Sequence, residues 1–234
     1  MKRYDVGMGV EGESEPGSRH RVMRNLLGVR TKREMDQIEE QALRAVQDCY
    51  YTEGEVTPDT RFAADLIRKM HRDWLGGIYE WAGEYRSVDM ARGGFVFPPA
   101  VRVAENMGEF ERSILATHTP CRPRGLKKVC ESLAVVHAEL ILIHPFREGN
   151  GRIARWLADM MVAQAGFPLP RYGFSGEGSR RSRAGYLGAV ISGYGKDYDD
   201  LAAFFEAAIL RRLWEEEQRP FRERGEAPSN TAES

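Results

Sequence analysis

A chain of 234 residues with 42% hydrophobic content can bury one sizeable core, and its formal charge of −1, from 34 basic and 35 acidic residues, offers no basic excess of the kind that binds nucleic acid generally. Cys49, Cys121 and Cys130 have no metal-ligand spacing and cannot all pair, which fits a reducing compartment. No apolar stretch is long enough to span a bilayer and the N-terminus has no secretory apolar core, so a cytoplasmic protein without a membrane partner is expected.

Residues 1–20 are rich in Gly, Glu and Ser and are expected to form a mobile segment. Residues 31–51 then read as a helix with Met35, Ile38, Ala42 and Val46 on one side, and residues 61–75 as a second through Phe62, Leu66, Ile67, Met70 and Trp74, closed by Gly76 and Gly77. Two short strand-like runs, 85–90 and 95–97, flank a turn at Gly93 and Gly94 and stop at Pro98 and Pro99, the pattern of a β-hairpin. A third helix is predicted over 101–116, with Val103, Met107, Phe110 and Ile114 inward. Residues 129–143 carry Leu133, Val136, Leu140, Ile141 and Ile143 at helical spacing and read as a buried helix. Two more helices, 179–194 and 199–214, would turn Leu187, Val190, Leu201, Phe204, Phe205, Ile209 and Leu213 inward, ahead of a polar tail over 215–234. No internal repeat is visible.

The most informative stretch is HPFREGNGRIAR, residues 144–155. Pro145 disfavours helical torsions at His144 and supplies no N–H, so the preceding helix should stop there. Gly149 and Gly151 bracket Asn150 ahead of a second apolar run through Ile153, Trp156, Leu157, Met160 and Met161, which makes a helix–loop–helix. The first amides of the second helix, reinforced by its dipole, form an anion cradle, and glycine lets a phosphate approach the backbone. Arg152 and Arg155 share one face near the start of that helix, where a cation gains nothing from the dipole, so a polyanion between them makes better sense. Glu148 is a hard oxygen ligand suited to a phosphate-bridging magnesium ion. His144, with an unperturbed pKa of roughly 6.5, can take a proton from an attacking hydroxyl.

These residues closely resemble the Fic family, whose motif is H-x-F-x-[D/E]-G-N-G-R-x-x-R. His144, Phe146, Glu148, Gly149, Asn150, Gly151, Arg152 and Arg155 match every fixed position. The resemblance implies an all-α Fic/Fido helical bundle with a small β-hairpin flap over residues 21–214, transferring AMP from ATP to a Tyr, Ser or Thr hydroxyl of a target protein. His144 would be the general base, Glu148 the Mg2+ ligand, Gly149, Asn150 and Gly151 the phosphate loop, and Arg152 and Arg155 the outer-phosphate ligands. In the related Doc branch, which transfers the terminal phosphate, a lysine replaces the second glycine, so Gly151 argues for adenylylation. The stretch of residues 81–100 looks like the family's flap, about 84–98. There the open edge formed by Asp89, Met90, Ala91, Arg92, Gly93, Gly94 and Phe95 would pair with an extended target segment.

Other residues carry weaker signals. His137 lies seven before His144 on one helical face, but that spacing is too long for shared ligation within a helix, and a buried or capping role is the simpler reading. Arg180, Arg181 and Arg183 read as a solvated helix start. Tyr186 loosely matches a position near the adenine, or packs. Family members often carry an inhibitory helix, [S/T]-x-x-x-E-[G/N], whose glutamate pairs with the second motif arginine. The nearest match, Ser229 with Glu233, is followed by Ser234 where Gly or Asn belongs. The expectation is therefore a toxin restrained by a small antitoxin that supplies the glutamate in trans. A homodimer is compatible with this class of domain. The alternatives are a Doc-like kinase, another nucleotidyl or phosphocholine transferase using the same site, and a nucleotide-binding module without turnover.

Overall fold

The computed structural model describes residues 5–6, 13–52, 56–122 and 125–223. Its elements are β1 (Asp5–Val6), α1 (Lys32–Thr52), α2 (Ala64–Leu75), β2 (Met90–Arg92), β3 (Phe95–Val96), α3 (Val103–Glu109), α4 (Ala116–His118), α5 (Leu126–Ile143), α6 (Asn150–Gln164), α7 (Ser179–Tyr194) and α8 (Asp199–Glu223). A 3-10 turn, Ala100–Arg102, leads into α3, and a π-helical stretch, Phe110–Leu115, joins α3 to α4. The architecture is all-α, with one small antiparallel sheet in the order β1-β2-β3.

α5 is the axis of the bundle. Leu133, Ala134, Val136, Ala138, Leu140 and Ile141 are all buried, so both faces are apolar, the signature of a helix with neighbours on every side. α6, α7 and α8 pack against it, while α1 pairs with α2 and α2 reaches α6. α6 buries Ile153, Trp156, Leu157, Met160 and Met161 as its apolar spacing requires. The Trp156 ring meets Tyr50 of α1 edge-on at 4.9 Å between centroids, which closes the bundle on that side.

The departures from the sequence reading have local causes. α2 starts at Ala64 rather than 61, because the Ala64 N–H donates to Glu111 Oε2 at 2.8 Å and the Phe62 N–H to Thr119 Oγ1 at 3.1 Å. Leu187 is 41% exposed: α7 turns Tyr186, Ala189, Val190 and Gly193 inward, and residue 187 lies one step off that stripe. α8 continues beyond 214 to Glu223, into the segment read as tail. Of residues 1–20, Asp5 and Val6 pair with β2, Ser14 bridges Met23, and Ser18 is buried. Ser229 and Glu233 lie outside the described residues.

Candidate active site

α5 ends where Pro145 predicts. His144 occupies its C-terminal cap in the left-handed region, at φ 52°, with its N–H still donating to Leu140 O at 3.1 Å. That conformation swings the imidazole out of the helical register toward the loop. His144 Nδ1 lies 3.1 Å from Ile141 O, so the ring proton sits on Nδ1 and the lone pair on Nε2. Phe97, just past the hairpin, stacks on the imidazole at 3.8 Å. The loop of residues 145–149 is closed by Asn150, whose Oδ1 accepts the Phe146 N–H at 2.9 Å and whose Nδ2 donates to Phe146 O at 2.7 Å.

Beneath the loop the packing leaves no room. Gly149 caps α6 at φ 84°, and a Cβ built there would lie 2.7 Å from Trp74 Cζ3. His71, fully buried in α2, stacks on Phe146 at 3.9 Å, accepts the Gly83 N–H on Nδ1 at 2.8 Å and donates from Nε2 to Glu148 O at 3.0 Å. Burial pushes its pKa down to about 4, which keeps the ring neutral with its proton on Nε2. Glu148 is itself buried, and its Oε1 accepts the Gly149 N–H at 3.0 Å. Asn150 and Gly151 open α6, so their N–H groups belong to the first turn that an α-helix leaves without intrahelical partners.

The two arginines are held differently. Arg152 lies over the Trp74 ring at 4.5 Å, with Nη2 2.6 Å from Glu39 Oε2 and 3.6 Å from Glu148 Oε1. Arg155 stands over the Phe174 and Tyr186 rings at 5.3 and 5.6 Å, and its Nη1 reaches the Tyr186 hydroxyl at 3.4 Å. That hydroxyl is 2.8 Å from His137 Nε2. Burial pushes His137 down to about 3, so the imidazole is neutral and accepts the phenolic proton while the phenol oxygen receives Arg155. Among the described residues, Arg155 makes no ion pair.

The model of the Fic/DOC family matches residues 61–162, a span that contains α2, the hairpin, the His144 loop and most of α6. Over that span the chain is similar to the Fic/DOC family. A protein named protein adenylyltransferase VbhT, from Bartonella schoenbuchensis, is 26% identical over 169 residues, 72% of this chain but only 34% of that protein. The probable protein adenylyltransferase Fic of Escherichia coli K12 is 29% identical over 174 residues, 73% of this chain and 83% of that protein. Among solved structures, BepC of Bartonella tribocorum with bound AMPPNP superposes with a TM-score of 0.63 at 19% identity, over 80% of this chain and 91% of that one. The Fic domain of a cell filamentation protein from Bartonella quintana with bound ADP gives 0.65 at 18%, over 80% and 89%. Both share the helical fold described above.

Within the matched span the structure brings His144, Glu148, Gly149, Asn150, Gly151, Arg152 and Arg155 to one loop and helix start. It gives the Asn150 side chain a loop-closing task, which leaves only its backbone toward an anion. Tyr186 is buried, with its hydroxyl 3.4 Å from Arg155 Nη1. The hairpin is shorter than expected. Only Met90–Arg92 pairs as the first strand, because the N–H of Arg86 donates to Pro145 O at 2.9 Å rather than to a neighbouring strand. Gly93 and Gly94 make the turn with φ of 58° and 83°, values that favour glycine, and the Ala100 N–H donates to Asp89 Oδ1 at 2.7 Å. The β2 edge, expected to be open, is taken by the chain itself: Asp5 pairs with Ala91 and Val6 with Met90, leaving the outer edge of β3.

Three functional supports escaped the sequence reading: Glu39, His71 and Arg86. Arg86 is buried and donates to His144 O at 2.7 Å, Val88 O at 2.9 Å and Pro98 O at 2.5 Å, tying the hairpin base to the mouth of the loop. Its place between an aromatic segment and the hairpin was a usable signal, since a solvated strand has no need of a five-donor fork. Glu39 and His71 sit in amphipathic helices where polar residues ordinarily face water, so nothing local marked them.

The chemistry of Glu148 is compatible with magnesium: it is a single hard, buried carboxylate beside the start of α6, and magnesium takes one or two carboxylates completed by substrate phosphate oxygens and water.

Proposed function

We propose that this Fic domain is a protein adenylyltransferase, moving AMP from ATP to a hydroxyl of another protein. The observation that carries the reading is the joint placement of His144 Nε2, the Glu148 carboxylate and the first-turn amides of α6 around one loop. The triphosphate lies along the start of α6, its charge met by the helix N-terminus, Arg152 and Arg155. A magnesium ion held by Glu148 would neutralise phosphate charge when bound. His144 Nε2 takes the proton of the target hydroxyl as its oxygen bonds to the α-phosphorus, and the bond from that phosphorus to the bridging oxygen breaks, so pyrophosphate leaves. Ile141 O holds the Nδ1 proton in place and thereby keeps Nε2 basic.

The hairpin supports target binding in an extended form, because a strand added at the β3 edge would find backbone partners and its side chains would alternate above the loop. Restraint in trans, by a small partner whose glutamate pairs with Arg155, accords with the absence of an ion pair to Arg155 among the described residues.

The deciding experiment supplies the purified protein with a cell lysate, magnesium and ATP labelled on the α- or the γ-phosphate. Transfer of the α label alone supports adenylylation. Transfer of the γ label establishes a Doc-like kinase, and nucleotide binding without transfer of either label in the presence of many candidate targets argues for a binding module.

A further inference from the structure

Glu39 lies on α1, outside the matched family span, yet its carboxylate is buried against the active-site loop. Burying a carboxylate is costly unless it is paired and hydrogen-bonded, and each of its oxygens is engaged. Oε1 accepts the Tyr79 hydroxyl at 2.7 Å, and Oε2 meets Arg152 Nη2 at 2.6 Å. Its backbone oxygen accepts the Trp74 indole N–H at 2.8 Å, and Trp74 in turn underlies the Arg152 guanidinium. Arg152 thus rests on a platform made by α1 and α2 rather than reaching freely from α6.

The consequence concerns Glu148. Arg152 is four residues further along the chain, a spacing at which arginine and glutamate pair readily at a helix start. Here Nη2 is 3.6 Å from Glu148 Oε1, a full ångström longer than its distance to Glu39. If Glu39 were absent, Glu148 would be the remaining carboxylate among the described residues within ion-pair distance of Arg152, and the two charges would cancel where the proposed divalent cation binds. With Glu39 present, the three side chains sum to one negative charge.

We propose that Glu39 is a positioning residue: it holds Arg152 on the Trp74 ring and thereby keeps the Glu148 carboxylate available to the metal that accompanies the nucleotide. This rests on the functional reading above, and it extends the working site to a helix that the family motif does not include.

The test is calorimetric and independent of turnover. Binding of AMPPNP is titrated at a series of Mg2+ concentrations for the wild type, Glu39→Gln, Arg152→Gln and the double variant, with circular dichroism melts confirming the fold. Glutamine keeps the acceptor for Tyr79 and removes the charge. Expected is a rise of about tenfold in the Mg2+ concentration that half-saturates AMPPNP binding in Glu39→Gln, the scale typical of lost outer-shell partners of metal ligands. In the Arg152→Gln background the same change should move that value less than twofold, since no arginine remains to fall onto Glu148. An unchanged Mg2+ requirement in a folded Glu39→Gln, or an equal shift with and without Arg152, overturns the inference while leaving adenylylation standing. Failure of the wild type to bind Mg2+ and AMPPNP at all overturns the functional reading and this inference with it.

Discussion

Gly149→Ala is the perturbation whose size follows most directly from the geometry. A methyl group at this position would lie 2.7 Å from Trp74 Cζ3 and 3.1 Å from its Cη2, while the backbone sits at φ 84°. The left-handed conformation costs a residue with a Cβ about 1–2 kcal/mol, and overpacking against a side chain that cannot yield costs about 1–3 kcal/mol. Trp74 cannot yield cheaply, because it is 2% exposed, its N–H is bonded to Glu39 O and its ring carries Arg152. The two terms together give a loss of about 2–5 kcal/mol, a large share of the typical stability of a domain. Urea unfolding of the wild type and the variant measures it, with AMPPNP calorimetry on the same samples. Gly151→Ala is the control: its Cβ would meet Arg155 Nη1 at 3.5 Å, an ordinary contact, and its helical position tolerates alanine. It should leave stability within about 0.5 kcal/mol or raise it slightly, while weakening nucleotide binding by crowding the anion cradle. A Gly149→Ala protein as stable as the wild type, with unchanged nucleotide affinity, would refute the claim that the loop is wedged against Trp74.

Other consequences follow from the same contacts. His71 is held at about 4 in the fold against an unfolded value of roughly 6.5, so the unfolded chain takes up more protons between those limits. Stability should therefore fall as pH drops from about 6.5 to 4, by about 3 kcal/mol from this residue, and urea unfolding of His71→Gln across that range should show a correspondingly flatter pH profile. Tyr186→Phe removes the hydroxyl that receives Arg155 and donates to His137; a several-fold loss of AMPPNP affinity is expected by calorimetry, and a larger loss for Arg155→Ala. Replacing Asp5 and Val6 together with proline removes both N–H groups that β1 can offer to β2; nucleotide binding should be unchanged, and a changed rate of target labelling would register the hairpin edge that β1 covers.

Much of the helical frame was legible because it rests on apolar spacing. The 179–194 helix agrees to the residue, and the burial of α5 is legible from Leu133, Val136, Leu140, Ile141 and Ile143. The loop was legible for a different reason: Pro145, Gly149 and Gly151 punctuate the chain between two apolar runs, and the charged residues there have no other local purpose. Long-range partnerships were not legible. Glu39 precedes Arg152 by more than a hundred residues and His71 lies 77 residues before Glu148, so only the folded bundle shows that two unremarkable helix positions support the candidate active-site loop. The hairpin was found, but its length and its occupied edge were not. The first depends on Arg86 bonding to Pro145 and the second on a two-residue strand with no sequence signal of its own.

The general-base role proposed for His144 is the centre of the proposed mechanism, and one paired measurement on His144→Ala addresses it. AMPPNP affinity is taken by calorimetry, and transfer of label from α-labelled ATP to protein is followed alongside the wild type. Retained nucleotide affinity with transfer reduced by about a hundredfold or more is the expected result, because the proposal gives His144 Nε2 the hydroxyl proton and leaves the phosphates to the helix start and the arginines. Transfer at the wild-type rate in His144→Ala would contradict it.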